Sequence, residues 1–352
     1  IGAEAAHVLV GAMVSGVFAG DGRQLSLASC FPKMAEMEAE HGGLVKAMLA
    51  KQRARSAAKR ELAARRARGE NTPEMGEMER PGGPVGPAGR LTSFRGGIQT
   101  FTDAFAAALG PAVECGRALG RVQPIDGRDG STRLWRLDFA DGSLLEADEV
   151  VFAVPAAQAA PLLAPLDEEL GRTVGAIPSA SLAVLALAYD ENAFHARALG
   201  ARPGAPNGFG FLVPRGERPR ILGALWDSSV FPGERAPAGK VLLRVMIGGA
   251  LDPEAVTLPE DELLRIARAD LAATMGLETT PERHWLFRHK VGISQYTVGH
   301  AARLATIAAR FATLPGLHIA GQSYFGVSMN GCCEQAARFA EERIAQLERP
   351  TA

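Results

Sequence analysis

The segment from Leu317 to Asn330 constrains this chain more than any other, because it reads as a strand, a glycine-bracketed turn and the start of a helix. Leu317, Ile319 and Ala320 form a short apolar run of buried-strand type, and Gly321 and Gly326 flank an irregular turn. Apolar residues then recur at helical spacing at Cys333, Ala336, Ala337, Ala340 and Ile344. A helix N-terminus presents unpaired N–H groups and a partial positive charge, so such a turn brings a helix start to an anion or an electron-rich ring. Glycine lets the backbone itself approach that ligand. The same spacing also suits a plain strand-to-helix joint, and spacing alone leaves both open.

Elsewhere the pattern is that of sheets. Trp135, Leu137 and Phe139 alternate with Arg136 and Asp138, and Asp126-Gly127, Asp129-Gly130 and Asp141-Gly142 are turn signals, so residues 112–155 predict a β-meander. It ends in Glu149-Val150-Val151-Phe152-Ala153-Val154-Pro155, which reads as an apolar strand buried on both faces. Apolar runs at residues 182–188, 209–213, 221–226 and 241–247, joined by long loops, predict an antiparallel sheet. A helix follows. Thr257 and Glu260 have capping-box spacing, Leu263, Ala267, Leu271 and Met275 line one side, and Gly276 stops it.

With 352 residues, of which 47% are hydrophobic and 22% charged, the chain can bury a large core in two lobes. A formal net charge of −1 argues against nucleic acid as a partner. No apolar run reaches the roughly 18 residues that span a bilayer. Cys30, Cys115, Cys332 and Cys333 lack metal-ligand spacing and read as ordinary thiols of a reducing compartment. The seven histidines are scattered, and neither a hydrolytic triad nor a metal-binding cluster is visible. His300 is the one histidine that invites a role as a base, against a structural role for the same residue. Between Lys46 and Arg68 nine basic residues face a single acid, Glu61, on an Ala-rich helical background, and residues 69–89 read as a mobile Gly/Pro-rich loop. This basic helix suits either a solvated face or contact with anionic lipid.

Seven ordered motifs then carry a resemblance. They are Ser15-Gly16-Val17-Phe18-Ala19-Gly20-Asp21 with Phe31-Pro32; Ser93-Phe94-Arg95-Gly96-Gly97-Ile98; and Gly208-Phe209-Gly210-Phe211-Leu212-Val213-Pro214. Next come Trp226-Asp227-Ser228 with Phe231-Pro232, then Gly248-Gly249, then Gln295-Tyr296 with Gly299-His300, and finally Gly321-Gln322-Ser323-Tyr324-Phe325-Gly326-Val327-Ser328-Met329. Together they resemble the protoporphyrinogen oxidase family of the flavin amine oxidase superfamily, with Gln322 in place of an Asn and Met329 in place of a Val.

The resemblance implies an α/β plus α+β, two-lobed flavin amine oxidase-like fold: an FAD-binding lobe with a β-meander, and a substrate lobe on a mainly antiparallel sheet with helices. It divides the chain into a helical part of the substrate or membrane-facing lobe (residues 1–90, with the basic and Gly/Pro-rich stretch 46–89), an FAD-lobe segment (91–155), a substrate lobe (156–290) and a C-terminal FAD-lobe segment (291–352). The Gly-x-Gly-x-x-Gly strand-turn-helix with which family members begin does not occur here, so the chain is expected to be part of a longer protein and to hold FAD weakly by itself.

By resemblance Val113, Gly321, Gln322, Gly326, Val327, Ser328 and Met329 bind FAD, while Gly16, Leu212, Leu225 and Met246 face the tetrapyrrole; each of the last four also suits a core position. No residue is assigned as acid or base, in keeping with chemistry carried by a cofactor. The implied reaction is oxidation of protoporphyrinogen IX by hydride transfer to FAD with O2 as oxidant. Implied as well are a cytoplasmic location, peripheral membrane contact, a homodimer and handover to ferrochelatase. Coproporphyrinogen III, an amine or a carotenoid precursor remain as alternative substrates, and a non-catalytic homologue binding a tetrapyrrole or a partner as an alternative role.

Overall fold

Strands of alternating burial build the largest sheet. In the computed structural model, which describes residues 4, 6–68, 92–127, 133–194 and 206–347, Ser179–Asp190 (β5), Gly210–Leu212 (β6), Ile221–Leu225 (β7), Lys240–Gly248 (β8) and Arg283–Ser294 (β9) pair antiparallel in the order β6-β7-β8-β5-β9. Asp129-Gly130, His195 and the stretch 69–89 lie outside the described residues. One face of the sheet is core: Leu185, Leu187, Leu243, Val245 and Ile247 are fully buried. They pack on Leu263, Ala267 and Leu271 of the helix Glu260–Met275. Each such leucine contributes roughly 1.5–3 kcal/mol relative to exposure. The four predicted strands and the predicted helix are all present. Thr257 is not the cap, however: it ends a preceding 3₁₀ turn and its hydroxyl donates back to the Glu254 carbonyl at 2.7 Å. Gly276 stops the helix in the left-handed conformation, φ 67°.

The β-meander is also present. Leu119–Asp126 (β1), Arg133–Phe139 (β2) and Leu144–Ala147 (β3) pair antiparallel, with Trp135 fully buried and its indole donating to the Pro315 carbonyl at 3.0 Å. Val150–Phe152 (β4) pairs in parallel with Leu317–Ile319 (β10). The expectation that β4 is covered on both faces is corrected: Phe152 is buried, whereas Val151 is 41% exposed. This sheet has two strands, and the helix Met329–Leu347 covers the face on which Val151 lies only in part, through Phe339 on His318 and Arg343 on Glu149.

Two helices that the sequence did not announce, Ala156–Leu163 and Glu168–Gly175, complete this second core with Leu163, Leu170, Ile307 and Tyr324. Asp167 caps the second of them, accepting from the Leu170 N–H at 2.9 Å. That bond and the Arg310 guanidinium hold its carboxyl below the usual range. Arg310 lies on the helix His300–Phe311 and so ties the two helices together.

The final helix, Met329–Leu347, begins where the turn predicts. The positions that reveal it in the sequence, Cys333, Ala336, Ala337, Ala340 and Ile344, are exposed. Phe339 packs edge-on against His318 (centroids 5.2 Å apart) and Arg343 pairs with Glu149. These contacts turn the helix so that its alanine stripe looks outward.

The chain divides into two units, Ile1–Ser26 with Glu114–Ala352, and Leu27–Val113. The three sheets and the helices packed on them belong to the first. The second contains the helices Pro32–His41, Leu44–Ala67 and Gln99–Leu109, the last bearing Phe101 between Phe94 and Phe105 at 5.8 and 4.8 Å. Among the described residues no helix is long and apolar enough to cross a membrane.

Candidate cofactor turn and substrate face

β10 ends at Ile319, and the Ala320 N–H still donates to the Phe152 carbonyl at 3.0 Å. Gly321 (φ 106°) then breaks the strand, and its carbonyl accepts from Tyr324 and Phe325. Tyr296, thirty residues upstream of Gly326, staples this turn shut: its hydroxyl donates to the Gln322 carbonyl at 2.5 Å and accepts from the Gly326 N–H at 2.7 Å. His300 lies flat against the Tyr296 ring, centroids 4.0 Å apart, and its Nε2 contacts the Tyr324 carbonyl at 3.3 Å. Burial first, and then the nearby Arg303, hold the imidazole below its ordinary value of 6.5. It is 2% exposed. His300 is therefore part of the scaffold beneath the turn, as the structural alternative had it. Ser323 Oγ meets Ser294 Oγ at 2.9 Å and accepts from the Ala156 N–H at 3.0 Å, completing a buried polar support.

Above this support the helix start is open. Ser328 caps it, accepting from the Gly331 N–H at 3.0 Å, which leaves the Met329 and Asn330 N–H groups without intrahelical carbonyls. Gly326 has φ 134°, and a Cβ built there would meet nothing within 4 Å. Gly321, Gln322, Gly326, Val327, Ser328 and Met329 thus share one stapled turn with a bare N-terminus. Val113 lies in the other unit, extended and 40% exposed.

Tyr296→Phe is expected to leave the Gly326 N–H and the Gln322 carbonyl without this partner, a cost of about 1–3 kcal/mol for buried polar groups. Thermal unfolding should report it as a lowered Tm. An unchanged Tm would show that the staple contributes nothing.

The second assembly is the sheet face opposite the core. Register sets Leu212, Gly223, Met246, Val184 and Phe287 in one cross-strand row. Gly210, Leu225, Arg244, Ala186 and Trp285 form the next. Alternation puts all of these on the side away from the fully buried Val245 and Leu185. Leu212, Leu225 and Met246, widely separated in sequence, are therefore on one face. Gly16 joins them: a Cβ there would lie 2.4 Å from Leu212 Cδ2, so the helix Gly11–Phe18 meets the sheet through a bare backbone. The segment after it is fastened by other motif residues. Gln295 Nε2 donates to the Phe18 carbonyl at 2.8 Å, and a Cβ on Gly249 would strike the Ala19 carbonyl at 2.6 Å.

Trp285 and Phe287, 45% and 52% exposed, and Arg244 escaped the sequence reading. The charges around the two aromatics, Arg283, His284, Arg288, His289 and Lys290, hide their strand periodicity.

The chain belongs to the family of flavin containing amine oxidoreductases, which it matches over residues 2–343. It is 32% identical to protoporphyrinogen oxidase of Bos taurus, over 99% of this chain and 67% of that protein. Identity with protoporphyrinogen oxidase of Homo sapiens is 31%, over 97% and 66% of the two chains. With coproporphyrinogen III oxidase of Bacillus subtilis (strain 168) it is 26%, over 99% and 66%. The chain thus spans about two thirds of the length of these relatives. A crystal structure from Exiguobacterium sp. 255-15, provisionally assigned as a protoporphyrinogen oxidase, shares the fold with a TM-score of 0.72 at 21% identity, covering 98% of this chain and 64% of that one. A putrescine oxidase variant shares it more distantly, with a TM-score of 0.54. The flavin amine oxidase-like fold and FAD as the cofactor therefore stand as expected. The turn fits such a group, since open space lies before Gly326 and a bare helix start follows it.

Proposed function

We propose that this chain is part of an FAD-dependent oxidase that converts protoporphyrinogen IX to protoporphyrin IX with O2 as the oxidant. The observation that carries the reading is the gathering of Leu212, Leu225, Met246 and Gly16 on one open sheet face, an apolar wall suited to a bulky apolar macrocycle. Bound FAD supplies the hydride acceptor. Val327, Ser328 and Met329 would lie along the flavin, where the N-terminus of the last helix stabilises negative charge. Gly321, Gln322 and Gly326 shape that turn, and Val113 would meet the adenosine end. Tyr296 and His300 hold the turn and move no proton. The proposal extends to a homodimer in the cytoplasm, resting on the membrane surface and passing its product to ferrochelatase. The basic helix Leu44–Ala67 supports the membrane contact.

Coproporphyrinogen III is the alternative substrate, favoured by the likeness to the Bacillus subtilis enzyme and by the presence of Arg244 on the wall. Oxidation of both porphyrinogens by full-length, FAD-loaded protein, followed by porphyrin fluorescence in air, decides between them. Protoporphyrinogen IX is expected to lead by at least about tenfold in kcat/KM, equivalent to ~1.4 kcal/mol. A lead for coproporphyrinogen III would transfer the assignment, and no turnover of either would end it.

A further inference from the structure

Arg244 is the one charged side chain in the two cross-strand rows of the open face. It sits directly opposite Leu225 and Ala186, and one row from Met246. Its guanidinium is tied on one side only: Nη2 donates to Asp227 Oδ1 at 2.7 Å, and no other described acceptor takes Nε or Nη1. The partner is the more deeply set of the two, with the Asp227 side chain 15% exposed and that of Arg244 45%. Asp227 heads the helical turn that closes β7, and the Phe231 N–H donates to its carbonyl, so the carboxylate is held by a fixed backbone. With its guanidinium half in water, the pair contributes only modestly to stability. Aiming a planar fork of donors across an apolar wall, by contrast, is a feature of carboxylate recognition.

We propose that Arg244 anchors a carboxylate of the substrate on this face, with Asp227 as the positioning residue that orients the guanidinium. The proposal rests on the porphyrinogen reading, whose propionates supply the carboxylate. The macrocycle would lie over Leu225 and Met246 while one propionate reaches the Nε and Nη1 side of the fork. Arg244 would then set which edge of the macrocycle points along the sheet, and a substrate without ionised side chains would lose that orientation.

The test compares protoporphyrinogen IX with its dimethyl ester, which keeps the ring and lacks the charges, on full-length FAD-loaded protein. Arg244→Met is expected to raise KM for the acid by about tenfold or more while leaving KM for the ester unchanged. Arg244→Lys, which keeps the charge and loses the fork, should fall between Arg244→Met and the native enzyme. Asp227→Asn should shift the acid-to-ester ratio in the same direction by less, a change that a purely structural role would not produce. Flavin absorbance and Tm of each variant report folding, and Arg244→Lys provides the readout if Arg244→Met is poorly folded. Equal changes for acid and ester, or none for either, would overturn the anchor and leave the oxidase assignment standing. A native protein that oxidises neither compound would instead bring down that assignment, and the anchor with it.

Discussion

Gly326→Val in the full-length protein is expected to purify with little yellow colour and a raised FAD dissociation constant, while the fold stays intact. The backbone at Gly326 has φ 134°, a region nearly closed to a β-branched residue, so the substitution costs on the order of 1–3 kcal/mol in strain. Relief of that strain would turn the Gly326 N–H away from the Tyr296 hydroxyl and displace the helix start that follows. Beyond its two chain neighbours no described residue lies within 4 Å of the new Cβ, so packing is not what suffers. Gly210 is the contrasting case, because a Cβ there would meet the Ala224 carbonyl at 2.1 Å and a substitution would break the sheet itself. Gly326→Ala separates the two contributions at the turn: it carries most of the backbone strain with little added volume. Retention of more flavin by the Ala variant than by the Val variant would point to close approach of the ligand. FAD affinity is expected to fall by roughly five- to more than a hundredfold for Val, as the strain energy implies. Full flavin occupancy with an unchanged redox potential would show that the turn is a structural joint and nothing more.

The turn was legible in the sequence because glycine punctuation and strand-then-helix periodicity are local signals. What holds it was not. Tyr296 and His300 belong to a recognisable motif, yet nothing in that motif says that the phenol bonds to both ends of a turn thirty residues away. The main sheet was legible wherever one face is core, since Leu185, Leu187, Val245 and Ile247 stand out at every second position. β9 was missed for the converse reason: its aromatics lie on the open face and its flanks are charged, so polarity does not alternate with side. Ala156–Leu163 was hidden by Pro161 within a short alanine-rich run. Apolar composition also misled, because it reports a surface that is able to be buried rather than one that is. Val151 on β4 and the alanine stripe of the last helix have the composition of covered faces, yet Val151 is 41% exposed and the stripe faces outward.

The expected consequence for the substrate wall is sharpest at Met246. Met246→Asp would put a carboxylate between Gly223 and Val184, on the face away from the core, so hydrophobic packing between the sheet and the helix Glu260–Met275 should survive. An apolar ring laid on that row would have to desolvate the new charge, which costs at least about 1–3 kcal/mol and corresponds to a rise in KM of roughly five- to more than a hundredfold. The new carboxylate also stands two residues from Arg244 on the same face, where it competes with a substrate propionate for the guanidinium. Both effects act on binding and neither touches the turn at Gly326, so flavin occupancy should remain full. Met246→Leu, of similar volume and without charge, should leave KM within a few-fold of the native value. Steady-state kinetics with flavin absorbance measured on the same samples distinguishes the outcomes. Lost flavin with an unmoved KM would place Met246 in the core or beside the cofactor, because a residue that only contacts substrate cannot loosen FAD.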